Sequence, residues 1–174
     1  MKRSYCLAAP LILSAVLSLT ATAQRAGVQP PTVLFVCEHG TVRSLLAKVL
    51  FEEYAGVVGL RMNAVSRGTH ADSIVPPWMV QGLSADHIAL GPWTPQTLRP
   101  KDLADAAYVV SFDVPLSATN GARVRREQWD SLPSVSKNYT SGRDAIKVRV
   151  HALVDSLKRT GKLAKRRDPA ADLQ

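Results

Sequence analysis

The sequence has little cysteine and few aromatic residues, and its only long apolar run lies close to the N-terminus. Two of its 174 residues are cysteines, Cys6 and Cys37, so a framework of several disulfides is excluded. Aromatic residues make up 6% of the chain. They are not interleaved with basic residues as in proteins that bind single-stranded nucleic acid, so we expect no nucleic-acid partner.

Several chemical signatures are also missing. The histidines at positions 39, 70, 87 and 151 are not spaced as metal ligands, and we expect no metal and no other cofactor. The sequence has neither the Gly-x-Ser-x-Gly turn of serine hydrolases nor the Gly-x-x-x-x-Gly-Lys-Ser/Thr loop of nucleotide-binding proteins. Cys37 is the single cysteine in the body of the chain, and its neighbours favour a functional thiol over the alternative of a small buried apolar residue.

The N-terminus has the layout of an export signal. Lys2 and Arg3 precede an apolar stretch at 7–19, and Ala21-Thr22-Ala23 offers small residues to a signal peptidase. We expect a signal peptide over 1–23 and an exported protein, periplasmic or secreted. The alternative is an uncleaved N-terminal anchor. No later stretch is apolar enough to span a bilayer, so no membrane association is expected after cleavage.

The remaining chain is organised as one domain. We expect a flexible lead-in over 24–32, a single domain over 33–160 and a basic tail over 161–174. The formal net charge is +8, and part of it comes from a terminal cluster of Lys158, Arg159, Lys162, Lys165, Arg166 and Arg167. We interpret that cluster as a solvated helix end and tail.

Short apolar runs alternate with helical patterns through this domain. Val33–Val36 is continuous and apolar, which is typical of a strand buried on both faces. Apolar residues spaced by three and four from Leu45 predict a helix that ends near Gly56. We expect further strands at 61–66, 108–112 and within 124–132, and further helices at 76–83, 101–106 and 143–158. This alternation predicts an α/β fold with a parallel sheet covered on both faces.

The segment between the first strand and the first helix carries the candidate chemistry. In it, Cys37 and Arg43 bracket five residues. Ligands of open α/β sheets bind beyond the carboxyl ends of the strands, where a helix N-terminus presents unpaired amides to an anion. We therefore expect a phosphate-binding loop in which Arg43 bonds two phosphate oxygens. Cys37 is the expected nucleophile, because these surroundings favour a thiolate.

The other residues of the loop are expected to bind the substrate. Ser44 can donate its hydroxyl to the thiolate, and Gly40 allows the positive φ of a tight anion-binding turn. His39 lies beside the nucleophile, and bracing the loop or tuning the thiolate are both open roles for it. The full set of expected substrate-binding residues is Glu38, His39, Gly40, Thr41, Val42 and Ser44.

These residues resemble the low-molecular-weight protein-tyrosine phosphatases, a family that also includes thioredoxin-coupled arsenate reductases. The resemblance rests first on Val33–Cys37, the loop, and Arg43-Ser44. It extends over most of the domain, through Val65–Thr69, Asp105–Val110, the region of Trp129 and the final helix.

The resemblance implies a three-layer, flavodoxin-like α/β fold with a four-stranded parallel sheet and a phosphate-binding loop after the first strand. It also implies attack by Cys37 on phosphorus, a phosphocysteine intermediate, and Arg43 holding the transferred group. The expected substrate is a phosphorylated protein or a small aryl phosphate, and the expected activity is that of a cysteine-dependent phosphatase.

The sequence departs from the family in three ways, one of which is that no cysteine follows Cys37. The family loop carries Gly-Asn where this chain has His39 and Gly40. The family's general acid is an aspartate in a late Asp-Pro pair, but residues 129–135 read Trp-Asp-Ser-Leu-Pro-Ser-Val. Asp130 is the nearest carboxylate and is our candidate general acid, with a turn aspartate as the alternative. A missing acid would cost about 10²–10⁴-fold in rate.

The predicted function is hydrolysis of phosphate monoesters, either phosphotyrosine or another aryl phosphate. Two alternatives stay open. The altered loop and the absent Asp-Pro pair would also fit an oxyanion-binding protein with weak or no turnover. An arsenate reductase with one cysteine and an external thiol is the other, because arsenate mimics phosphate. A thioredoxin-coupled relay is not expected, since no cysteine follows Cys37.

Overall fold

The computed structural model describes residues 29–116 and 124–166, with side chains through residue 161. The predicted signal peptide, most of the lead-in and the end of the basic tail lie outside the described residues. The elements, in chain order, are β1 Thr32–Cys37, α1 Arg43–Val58, β2 Asn63–Gly68, α2 Pro77–Ala85, α3 Pro100–Asp105, β3 Ala106–Ser111, β4 Arg125–Gln128 and α4 Tyr139–Arg166.

The four strands form one parallel sheet in the order β2-β1-β3-β4. β1 is central, and Val33–Val36 are all fully buried, as a strand covered on both faces requires. β4 has the sequence RREQ and lies at the edge, where polar side chains reach solvent. The predicted four-stranded parallel α/β fold is confirmed.

Two apolar clusters cover the faces of the sheet. The larger one joins alternate residues of β1 and β3 to α1, α2 and α4, and Phe35, Phe51 and Trp129 pack edge to face or tilted within it. The smaller one joins Leu34 and Val36 to α3. The division follows the alternation of side chains along a strand, and it leaves the carboxyl ends of the strands as the open edge of the sheet.

Several helix boundaries differ from the prediction by a few residues, and two of the differences have a clear local cause. The stop predicted at Gly56 is wrong, because α1 continues to Val58 and ends at Gly59, which adopts a left-handed φ of 70°. α4 begins at Tyr139 rather than Arg143, since Asn138 accepts a hydrogen bond from the backbone N–H of Ser141 (3.0 Å) as helix-capping residues do.

The same helix crosses a predicted boundary. α4 extends to Arg166, so the division at residue 160 between domain and tail falls inside a helix. Across the described ranges, no helix combines the length and the apolar character needed to cross a bilayer.

Candidate active site

Cys37 is the last residue of β1, at the carboxyl edge of the sheet. Its side chain is only 3% exposed. Ser44 Oγ lies 3.0 Å from the sulfur, and the backbone N–H of Gly40 donates to it from 3.2 Å. Both groups can stabilise a thiolate by donating hydrogen bonds to it. The structure therefore places two of the predicted loop residues directly on the sulfur.

The segment after β2 forms three backbone hydrogen bonds with the loop. The backbone N–H groups of Thr69, His70 and Asp72 donate to the carbonyls of Cys37, Glu38 and His39 at 3.0, 2.8 and 3.1 Å. In a planar trans peptide, the N–H points opposite to the carbonyl of the preceding residue. Fixing these three carbonyls toward β2 consequently aims the next three N–H groups, those of residues 38–40, to the other side. The bond from Gly40 to the sulfur shows this inward direction.

Two glycines make this close approach possible. Gly40 has a φ of 73°, and a Cβ on it would lie 2.7 Å from the nitrogen of Gly68. A Cβ on Gly68 would lie 2.7 Å from the carbonyl carbon of His39. Since both contacts are with backbone, neither can be relieved by a side-chain rotation. The loop and the end of β2 thus fit together only without side chains at these two positions.

Buried hydroxyls continue the network under the loop. Ser66 Oγ on β2 lies 2.9 Å from Gly40 O and 2.9 Å from Ser44 Oγ, and Ser66 and Ser44 are both fully buried. Ser66 has one hydroxyl hydrogen, so these two oxygens compete for the same donor. Ser66 therefore connects the turn at Gly40 with the serine that contacts Cys37.

The N-terminus of α1 opens into the same space. Its N-cap, Val42, provides no side-chain cap, and the first turn of α1 has no acidic residue. The first amides of a helix that lacks such partners carry a partial positive charge suited to an anion. Together with the inward amides of the loop, they form a cradle of the kind that binds phosphate.

Arg43 is held by a carboxylate that the sequence did not single out. Its Nη1 forms an ion pair with Oδ2 of Asp113, just beyond β3. Partial burial acts to raise the pKa of the Asp113 carboxyl, but the hydrogen bond and charge of Arg43, with the N–H of Ser131, lower it further than burial raises it. The pKa therefore lies below its ordinary value, and Asp113 is charged at neutral pH.

Asp130, the candidate general acid, belongs to the same network. Among the hydrogen bonds of the described residues, none joins Asp130 to Arg43. Its two oxygens accept from the Asp113 N–H (3.1 Å) and from Gln128 Nε2 (2.7 Å). Asp113 Oδ1 in turn accepts from the N–H of Ser131 (3.3 Å). Asp130 thus braces the loops after β3 and β4, and Asp113 stands between it and the guanidinium.

The predicted residues from Cys37 to Ser44 lie together in one loop, as the sequence placed them. Sequence reasoning missed Ser66, Asp72 and Asp113, which belong to other segments. Asp72 and Asp113 each follow a strand closely, and the rule that ligands bind beyond the carboxyl ends of strands could have identified them. Within the described ranges, no three His, Cys, Asp or Glu side chains are grouped so as to hold a metal ion.

A known protein family matches the part of the chain that contains the loop. The model of the family described as low molecular weight phosphotyrosine protein phosphatase matches residues 32–128, more than half of the chain. A search of curated proteins finds no match.

Solved structures share the fold at low sequence identity. The thioredoxin-dependent arsenate reductase Cg_ArsC1' of Corynebacterium glutamicum is 20% identical with a TM-score of 0.66, and the match covers 77% of this chain and 65% of that one, less than two thirds of the reductase. A low molecular weight protein tyrosine phosphatase from Bacillus subtilis is 23% identical with a TM-score of 0.59, over 74% of this chain and 97% of that one.

An arginine phosphatase, YwlE from Bacillus subtilis, has the same fold. A mutant of it that carries a phosphorylated active-site serine is 22% identical with a TM-score of 0.60, and the match covers 73% of this chain and 95% of that one. These likenesses establish the architecture that carries the loop.

Proposed function

This chain belongs to the low molecular weight phosphotyrosine protein phosphatase family, and on that premise we propose that it hydrolyses phosphate monoesters through a phosphocysteine on Cys37. The observation that carries the proposal is the contact of Cys37 Sγ with Ser44 Oγ and Gly40 N at the floor of an amide-lined loop. A thiolate there faces the position where the cradle would hold phosphorus.

The reaction follows from the groups in the loop. The Cys37 sulfur attacks phosphorus, so that an S–P bond forms and the ester P–O bond breaks. The inward amides and the guanidinium of Arg43 stabilise the charge on the transferred oxygens. Water then cleaves the S–P bond, which releases inorganic phosphate and regenerates the thiolate. Binding of phosphate to Arg43 Nη1 would displace Asp113 from that nitrogen.

The leaving oxygen needs a proton, and Asp130 is the proposed donor. A proton on Asp130 would sit on an oxygen that already accepts a hydrogen bond from Asp113 N or Gln128 Nε2. Each of these oxygens has a second lone pair, so it can carry the proton while it keeps that hydrogen bond. Aryl phosphates depend less on such a donor than alkyl phosphates, because a phenolate leaves more easily unprotonated. Aryl phosphates, phosphotyrosine among them, are the proposed substrates.

The test compares hydrolysis of p-nitrophenyl phosphate, an alkyl phosphate and phosphoarginine by the reduced full chain. Phosphoarginine is included because one protein of this fold is an arginine phosphatase and because carboxylates surround the loop. Wild type should turn over the aryl ester and Cys37→Ser should not. Asp130→Asn should slow the alkyl ester by about 10²-fold or more and the aryl ester less. Equal rates for wild type and Cys37→Ser would refute the proposal.

The same reduced protein can be used to test the two alternative functions. An oxyanion-binding protein would bind phosphate without turnover in wild type. Arsenate reduction, the activity named for one protein of this fold, would here require an external thiol, since Cys37 is followed by no other cysteine. Two electrons would come from Cys37 and that thiol as they form a disulfide. Arsenite release with added thiol would identify this activity.

Export is part of the proposal. It is supported by the basic start, the apolar stretch at 7–19 and the small residues ending at Ala23. We expect the exported chain to begin at Gln24 and to be found in the periplasm or outside the cell. N-terminal sequencing of the protein made with its own leader tests this, and an unprocessed Met1 would contradict it.

A further inference from the structure

Asp72 lies outside the phosphate-binding loop but contacts it at two positions. Its backbone N–H donates to the carbonyl of His39 (3.1 Å). One carboxylate oxygen accepts the hydroxyl of Thr41 at 2.6 Å, and the other lies 3.2 Å from His39 Nδ1. The sequence prediction gave Asp72 no role, and the reaction described above does not use it.

The two contacts lie on either side of Gly40, the glycine of the loop. Gly40 has a φ of 73° and no side chain through which it could be held. A glycine can leave such a conformation more easily than any other residue. Its neighbours His39 and Thr41 are both tied to one carboxylate, so the peptides before and after Gly40 are fixed from the same point.

The environment of the Thr41–Asp72 bond makes it strong. Thr41 is fully buried, whereas the Asp72 side chain is 38% exposed. A short hydrogen bond to a charged acceptor contributes more than one between neutral groups. Losing it would leave the Thr41 hydroxyl buried without this acceptor, which is costly. The bond therefore resists any movement of the loop that would turn its amides outward.

We infer that Asp72 is a positioning residue of the phosphate-binding loop, which holds the peptides around Gly40 with their N–H groups directed at the bound phosphoryl group. The inference rests on the proposed function, because it assumes that these amides bind phosphate. Asp72 acts through Thr41 and His39. It touches neither the nucleophile nor the substrate.

The test measures binding of inorganic phosphate to the reduced full chain by titration calorimetry, with the KM for p-nitrophenyl phosphate beside it. Asp72→Ala and Thr41→Val each remove one side of the bond, and Val keeps the shape of Thr. Thr41→Val, which does not change the charge, should weaken phosphate binding about tenfold. Asp72→Ala should weaken it as well, although it also removes a negative charge near the anion site. The double variant should bind no more weakly than Asp72→Ala, because that change already removes the contacts with both Thr41 and His39. Thr41→Ser, which keeps the hydroxyl, should restore near-wild-type affinity.

The control is Asp105→Ala, which removes another surface aspartate, paired with Lys101 on α3. It should bind phosphate like wild type. Unfolding midpoints show that each variant is folded, and loss of affinity without loss of fold supports positioning. Wild-type affinity in Asp72→Ala and Thr41→Val, or additive losses in the double variant, would overturn the inference while leaving the phosphatase proposal intact. Absence of phosphate binding in wild type would overturn both.

Discussion

At the scale of single residues, the central feature is that Arg43 is already paired with a carboxylate. A guanidinium in a phosphate-binding loop is expected to face the ligand, yet here it contacts Asp113 beyond β3. Phosphate has to compete with that carboxylate for the same fork of N–H donors. Asp113 consequently opposes anion binding, even though it also holds Arg43 near the loop.

Replacing Asp113 with Asn tests which of these two effects is larger. We expect Asp113→Asn to bind inorganic phosphate about tenfold more tightly at neutral pH, since it removes a negative charge beside the anion site. Titration calorimetry of the reduced chain measures the change. Weaker binding in the variant would instead show that orientation of Arg43 is the main effect.

The lowered pKa of Asp113 determines the pH range over which its carboxylate can pair with Arg43. The pKa of Asp113 is lowered from the ordinary aspartate value of 3.8, so the residue stays ionised from neutral pH down to that value. The stability that its ion pair contributes is fully present above 3.8 and is lost as the pH falls through the lower folded value. Titration of Asp113 should accordingly contribute no change to the affinity ratio between Asp113→Asn and wild type between about pH 5 and 8.

At the scale of elements, the strand, loop and first helix were readable from the sequence because their signals are local. A continuous apolar run identifies β1, and three- and four-residue spacing identifies α1. The end of α1 was misplaced because glycines stand at both 56 and 59, and only the left-handed φ of Gly59 distinguishes the cap. Gly56 sits inside the helix with open space around it.

The residues of the site also differ in whether local sequence could predict them. Cys37 and Arg43 belong to one short segment. Their spacing, together with the place of that segment between an apolar strand and an amphipathic helix, predicts that they face one ligand. Asp72 and Asp113 come from segments after β2 and β3, and their contacts with the loop depend on the order and register of the strands. The register pairs Cys37 with Gly68, and no local pattern specifies it. Tertiary contacts of this kind are what sequence reasoning could not supply.

Two glycine substitutions compare an open position with a crowded one. Gly68→Ala places a methyl group 2.7 Å from the backbone of His39, so the loop must move. We expect lower stability and phosphate binding weakened by about tenfold or more. Gly56→Ala meets nothing within 4 Å and should stabilise α1 by about 0.5–1 kcal/mol without changing binding. Urea unfolding and calorimetry measure both. Wild-type binding in Gly68→Ala would show that the loop tolerates displacement.

At the scale of the whole molecule, the charge around the site is opposite to the charge of the chain. The formal net charge is +8, yet a carboxylate follows each strand at the open edge of the sheet: Glu38 after β1, Asp72 after β2, Asp113 after β3 and Asp130 after β4. Arg43 forms an ion pair with Asp113, and the His39 ring nitrogens lie 3.8 Å from Glu38 and 3.2 Å from Asp72. The proposed phosphate site, with its amides and Arg43, would thus lie among these four carboxylates, which we call the acidic rim.

The acidic rim and the net charge predict opposite substrate preferences. A basic chain favours acidic substrates at long range, but charges are screened beyond about 8 Å at physiological ionic strength, so the nearest groups dominate. We expect phosphotyrosine peptides flanked by Lys or Arg to have kcat/KM values about tenfold higher than peptides flanked by Asp or Glu. The ratio should shrink in about 1 M salt, where screening is stronger.

Glu38 is suited to a test because its side chain is 62% exposed, and Glu38→Gln should reduce the ratio. Glu52→Gln, which removes an exposed carboxylate paired with Lys48 on α1, should leave it unchanged. A preference for acidic flanks would mean that the net charge, and not the acidic rim, selects the substrate.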